Sequence, residues 1–174
     1  RNRFMLGSEM NPCPCGNYGS RITPCRCTAQ QIQRYRNRIS GPMLDRIDIH
    51  VEMGEVGYND IAGRSCGEPS SAIRARVNAA RAIQTRRYAG MGILFNAQLT
   101  NRMMNQYCVL TSDAESLMKK AFAALKLSAR AYTRLLKVSR TIADLAGSEQ
   151  IKAEHIAEAI QYRSLESKYW GEIK

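Results

Sequence analysis

Four of the chain's six cysteines lie within fifteen positions, in the stretch NPCPCGNYGSRITPCRC (Asn11–Cys27), as C-P-C, nine residues, then C-R-C. Thiolates bind zinc well, and tetrahedral four-cysteine sites draw two ligands from each of two segments. Cys13 and Cys15 supply one such pair, Cys25 and Cys27 the other. Gly16 and Gly19 allow the tight turns that such a loop requires. The loop has few apolar side chains to bury, whereas structural zinc can supply ~10–16 kcal/mol to a small site. Zinc pairs are more commonly spaced C-x2-C, so free or redox-active thiols stay open beside the zinc reading. Disulfides fit less well, because thiols at i, i+2 bridge poorly and a reducing cytosol opposes them. Cys66 and Cys108 stand alone and read as ordinary thiols, and His50 as a packed core histidine.

The surroundings are basic. The net charge is +11, nineteen of the cations are arginine, and no lysine precedes Lys119. Arginine's planar fork matches phosphate and carboxylate better than a lysine point charge does. No acidic residue occurs between Pro69 and Ser112, a stretch that holds Arg74, Arg76, Arg81, Arg86 and Arg87. With Arg21 and Arg26 in the cysteine loop, these are the candidate phosphate contacts of a nucleic-acid partner. The competing readings are a merely solvated basic surface or a face awaiting an acidic subunit.

At 174 residues the chain can build one ordinary domain or two small ones. No apolar run approaches the ~20 residues of a membrane helix, and no signal-peptide core opens the chain, so a soluble cytoplasmic protein is expected. The chain begins at Arg1 instead of methionine, as a piece of a longer protein or a processed terminus would.

Pattern divides the chain at about residue 53. Arg3–Met10, containing FMLGSEM, and Ile47–Met53, IDIHVEM, read as strands. Between them Thr28 caps a helix to Arg38 with Ile32, Tyr35 and Ile39 on one face, which SGP at Ser40–Pro42 breaks. Residues 54–69 are glycine-rich and polar, a connector. Beyond them the chain is helical. Ser70 or Ser71 starts a helix with Ile73, Val77 and Ala80 in one stripe, stopping at Gly90. A short helix carries Leu99, Met103 and Tyr107. Ser112 and Glu115 make a capping-box pattern ahead of Leu117, Met118, Ala121, Phe122 and Leu125. Ser128 caps a helix stepping through Ala131, Leu135, Val138, Ile142 and Leu145 to Gly147, and a last helix starts near Ala153. Short amphipathic helices with brief loops make a small bundle.

Three runs, FMLGSEMNPCPCG, RYRNRISGPMLDRIDIHVEM and LSARAYTRLLKVSRTIADLAGSEQIKAEHIAEAIQYR, resemble the C-terminal part of the magnesium-chelatase-like AAA+ ATPases of bacteria, in particular the competence-type (ComM/YifB) group. The resemblance extends from Phe4 to about Arg163. It implies a mostly α chain in which residues 1–53 are the end of an α/β P-loop core, 54–69 a linker and 70–174 a helical lid. In the family, subunits close a ring, typically a hexamer, that hydrolyses ATP with Mg2+. By the same resemblance Asn11 ends the sensor-1 strand and orients the attacking water. Arg46 in LDRID matches the arginine finger that reaches a neighbour's nucleotide, and Arg130 in SAR matches the sensor-2 arginine of the lid. The competing readings are a turn residue for Asn11, an ion pair with Asp45 or Asp48 for Arg46, and a solvated charge for Arg130.

The chain holds no G-x-x-x-x-G-K-[ST] phosphate loop and no strand ending in paired acids for magnesium, so on its own it is not expected to hydrolyse ATP. The resemblance implies an ATP-driven branch-migration motor of natural transformation, with branched or single-stranded DNA as substrate. A stand-alone zinc-knuckle nucleic-acid-binding module without catalysis is the alternative. It is weakened by a single aromatic, Tyr18, in the loop where single-strand binders present several rings. A metal-chelatase motor subunit is a third reading.

Overall fold

The structure is a computed structural model that describes residues 5–56, 58, 62 and 67–170, with the side chains of 164–170 left aside. Its described residues contain seven α-helices and no strand: α1 (Ala29–Arg36), α2 (Gly41–Leu44), α3 (Ser70–Arg87), α4 (Asn101–Tyr107), α5 (Ser112–Ala124), α6 (Ala129–Leu145) and α7 (Ala153–Trp170). A 3-10 turn, Asn96–Gln98, precedes α4. No helix among these residues is long and apolar enough to cross a membrane. Phe4 and Cys66 lie outside the described residues.

α1, α4, α5 and α6 start where hydroxyls satisfy their first N–H groups. Thr28 accepts from Gln31 N–H at 3.2 Å while Gln31 Oε1 accepts from Thr28 N–H at 2.9 Å, a reciprocal box. Ser128 Oγ accepts from Ala131 N–H at 3.1 Å. The expected cap at Ser112 sits one residue earlier, at Thr111, whose hydroxyl accepts from Ala114 N–H. The SGP segment ends α1 as expected but also opens α2, with proline in its first turn, where no N–H is required. α6 ends in a Schellman turn: Ser148 N–H donates to Ala143 O, Gly147 N–H to Asp144 O, and Gly147 takes φ +66°. α5 ends in the same turn, with Leu127 N–H to Phe122 O and Lys126 N–H to Ala123 O, but its left-handed residue is Lys126, at φ +48°.

α6 is the hub. It packs against α7, α3, α4 and the 3-10 turn, and α5 completes the bundle against α7. Leu135, Leu136, Ile142 and Ala143 of α6 meet Met118, Ile151, Ile156 and Ala159 in a common core. The loops before α5 and α7 are tied by a parallel bridge, with Thr111 N–H donating to Ile151 O and Ile151 N–H to Val109 O. Inside this core lies an ionic knot. Buried Asp144 accepts from Arg87, from Arg140 Nε at 3.1 Å and from Asn96 Nδ2 at 2.8 Å. Arg140 also donates to the carbonyls of Ser148 and Glu149, closing the turn that follows α6.

Two expectations need correction. Neither Met5–Met10 nor Ile47–Met53 is a strand: both run irregularly, with Met5, Leu6, Ile49, Val51 and Met53 exposed. A strand needs a neighbour for its N–H and C=O groups, and no strand among the described residues offers one. The stripe of α3 is buried only in its second half. Ile73 and Val77 are each 40% exposed, whereas Ala80, Gln84 and the following Tyr88 are covered. Periodicity marked a face without marking how far along it a partner extends.

Candidate functional site

The cysteine loop is folded by its own turns. Gly16 N–H donates to Cys13 O at 3.0 Å and Ser20 N–H to Asn17 O at 3.1 Å, and Gly16 and Gly19 take φ +83° and +84°. The Ser20 hydroxyl accepts from the N–H groups of Ile22 and Thr23. These turns gather the four thiols. Cys13 Sγ lies 3.4 Å from Cys15 and 3.7 Å from Cys25, Cys15 lies 3.6 Å from Cys25, and all four sulfurs fall within 4.8 Å of one another. Four sulfurs at the usual Zn–S length around a tetrahedral ion stand about 3.8 Å apart, so the cluster has the dimensions of such a site. Backbone N–H groups of Asn17 and Arg26, with the Cys13 thiol, bring Cys15 down to about 6. Burial and the Cys15 sulfur push Cys27 up to about 12. One thiolate thus forms readily and raises the cost of the next, the behaviour of a ligand set that a cation would relieve.

α1 lies over this loop. Arg36, almost wholly buried, donates from Nε to Pro12 O and stacks 4.6 Å from the Tyr18 ring centroid, with Ile32 buried one turn before it. Asn11, two residues before the first cysteine, is exposed and lies on irregular chain, so it ends no strand here.

The LDRID segment follows α2. Arg46 is exposed, and among the described residues its guanidinium has no hydrogen-bond or ion-pair partner. The acids on either side are taken by the helical region. Asp48 pairs with Arg134 of α6, whose Nη1 also donates to the Arg46 carbonyl at 2.6 Å. Asp45 accepts from Arg163 of α7 at 3.4 Å and from the Ser128 hydroxyl at 3.3 Å, and Arg163 donates to Ile47 O at 3.3 Å. His50, half-buried, donates its backbone N–H to Tyr162 O at 2.9 Å. The ion pair of Arg46 with a flanking aspartate, one of the two readings open from sequence, is therefore not formed.

Arg130 stands in the first turn of α6, exposed and, among the described residues, without an acidic partner. A cation there is opposed by the helix dipole, at about 0.3–1 kcal/mol when exposed, so the position favours an anion beside it.

The basic residues grouped by sequence separate in space. Arg74 and Arg86 of α3 are exposed, as are Arg21 and Arg26 of the loop. Arg81 stacks on Phe95 at 4.9 Å, and Arg76 forms a bidentate pair with Glu68 at 2.8 and 3.0 Å. Arg87 is turned inward onto Asp144, so its guanidinium is committed to the core and is not a surface phosphate contact. Its acid lies 57 residues away in sequence, which is why a charge count placed it with the others. Arg134 and Arg163 were not singled out from sequence at all. Their partners lie 86 to 118 residues away, and only the paired acids of LDRID hinted that something must neutralise them.

Residues 67–163 match the family described as magnesium chelatase, subunit ChlI C-terminal, and residues 1–61 match magnesium chelatase, subunit ChlI. The chain is similar to competence protein ComM of Haemophilus influenzae, at 43% identity over 94% of the chain. It is also similar to the uncharacterized proteins YifB of Salmonella typhimurium (41%) and Escherichia coli (39%), again over 94% of the chain. The aligned part is 31% of each relative, so the chain spans about a third of the length of the curated relatives it matches.

Proposed function

The chain belongs to the magnesium chelatase subunit ChlI C-terminal family, and from that premise we propose that it serves as the C-terminal part of a ring-forming AAA+ ATPase. In this reading residues 1–53 finish a nucleotide-binding core, 54–69 connect, and 70–174 form the lid. ATP and Mg2+ are bound by the whole protein, Arg46 reaches the nucleotide of the next subunit, and Arg130 touches the nucleotide of its own. Asn11 orients the attacking water once the core is complete. The four cysteines hold a structural zinc ion.

The observation that carries the reading is the state of Arg46. It sits between two aspartates, yet both are neutralised by other residues, so among the described residues its exposed guanidinium keeps its charge unpaired. Phosphoryl transfer spreads negative charge over equatorial oxygens, and an arginine supplied from a neighbour is worth ~10³–10⁵ in rate in other NTPases. An arginine kept free of its own flanking acids has the chemistry for that task.

For substrate we take the word competence in one relative's name as pointing to DNA, with exposed Arg21, Arg26, Arg74 and Arg86 as phosphate contacts. An isolated nucleic-acid-binding knuckle has less support. The loop holds a single ring, Tyr18, one face of which is stacked by Arg36, whereas single-strand binders present several.

The test uses a protein of the relatives' full length, assayed for ATP hydrolysis with branched and with linear duplex DNA. Arg46→Ala should lower kcat by about 10³ or more while ATP affinity changes little. Branched DNA should stimulate the unaltered protein more than linear duplex. Full turnover by Arg46→Ala would end the reading.

A further inference from the structure

The segment that carries Arg46 is not held by its own neighbourhood. Residues 45 to 48 make five polar contacts with the helical region, and the Arg46 side chain makes none of them. Arg134 grips the Arg46 carbonyl and the Asp48 carboxylate with one nitrogen. Arg163, almost wholly buried, reaches the Ile47 carbonyl and Asp45 from the opposite side. Ser128, the cap of α6, binds the other oxygen of Asp45. The backbone following Arg46 and the side chains of both flanking aspartates are thus fixed to two helices, while among the described residues the guanidinium has no partner.

Those same helices carry the other candidate nucleotide contact. Arg130 and Arg134 are four residues apart on α6 and so lie on one face, a single turn from each other. Ser128, which caps that turn, is itself bonded to Asp45. Through these direct contacts a movement of the first turns of α6 is transmitted to the Arg46 loop.

We infer that Arg134 and Arg163 are positioning residues, a clamp by which the lid aims Arg46, so that engagement of a nucleotide by Arg130 in one subunit sets the arginine presented to the next. The inference rests on the reading of Arg46 as a trans-acting group. Neither clamp residue touches nucleotide. Arg134 holds the peptide carbonyl that follows Arg46 and the Asp48 side chain, and Arg163 holds the next carbonyl and the Asp45 side chain; a displacement of about 1 Å at a reacting centre can cost on the order of 10² in rate.

The experiment is a kinetic cycle in a protein of the relatives' full length, comparing Arg134→Gln, Arg46→Ala and the double variant in ATP hydrolysis with branched DNA. Arg134→Gln alone should lower kcat by roughly 10²-fold with ATP affinity unchanged. Added to Arg46→Ala, it should cause no further loss beyond about twofold, because it works through a side chain already gone. Equal losses in both backgrounds would mean general damage to the fold and overturn the clamp. No loss from Arg134→Gln, with Arg46→Ala inactive, would overturn the clamp and leave the arginine-finger reading standing. Full activity of Arg46→Ala would remove that reading and the clamp with it. Should Arg134→Gln fail to fold, Asp48→Asn replaces it: Asp48 is exposed, and the substitution removes the ion pair, one of the two contacts by which Arg134 holds the loop.

Discussion

The cysteine loop and the helical bundle proposed as the lid are joined in one chain and held together by different physics. The lid closes around a continuous apolar core drawn from α4, α5, α6 and α7, with a buried ionic knot inside it. The loop buries almost nothing apolar beyond Cys13 and leans on Ile32 and Arg36 of α1. One region is stabilised by area removed from water, the other by how closely four sulfurs approach. The contrast teaches that cooperativity should stop between them: whatever breaks one ought to leave the other standing.

The largest effect should follow from the metal. Chelation of a zinc-loaded sample, or Cys13→Ser with Cys25→Ser, should release one zinc per chain and unfold residues 11–36, given the ~10–16 kcal/mol such ions contribute. Hydrogen exchange should then rise in the loop and in α1 while α5, α6 and α7 keep their protection. Loss of protection in the lid as well would erase the proposed boundary.

The lid has its own point of failure. Asp144→Ala leaves Arg87 and Arg140 facing each other without their shared acid, and removing one partner of a buried pair costs about 3–5 kcal/mol. Denaturant unfolding should record that loss, and the zinc content of the loop should not change. A variant of unaltered stability would mean that water replaces the carboxylate at no cost.

A smaller effect separates the regions by pH. His155 stands in the first turn of α7, where its Nδ1 accepts from Lys152 N–H at 3.0 Å, and burial holds its pKa below the ordinary 6.5. The unfolded chain therefore binds a proton before the folded one does, as pH falls from about 6.5 toward the folded value. Lid stability should decline across that interval by at most about 1.4 kcal/mol per pH unit and level off below it. His155→Gln keeps an acceptor for the Lys152 N–H and should flatten the slope; an unchanged slope would assign it to another group.

How much was legible in the sequence follows from the range of each interaction. Helix starts were readable at Thr28 and Ser128 because a cap is a contact over three residues, and even the miss at Ser112 was a shift to the adjacent hydroxyl, Thr111. The thiol cluster was readable for the same reason, with all its members in fifteen positions. The strands expected at 3–10 and 47–53 do not form over the described residues 5–10 and 47–53, because alternation specifies a face, and pairing needs a second strand. Arg87, Arg134 and Arg163 have roles fixed by acids far along the chain, which no local pattern encodes.

The turn between α5 and α6 adds a last consequence. Where α6 ends on Gly147, α5 ends on Lys126 at φ +48°, a conformation that an L side chain rarely takes. Glycine would sit there with less steric cost, but it would also sample many other angles. A lysine stays there only because the turn's hydrogen bonds, Leu127 N–H to Phe122 O and Lys126 N–H to Ala123 O, hold it against its own preference, and the corner stands four residues ahead of Arg130. The direction in which α6 departs thus depends on two backbone contacts that a slackening of the corner would release together.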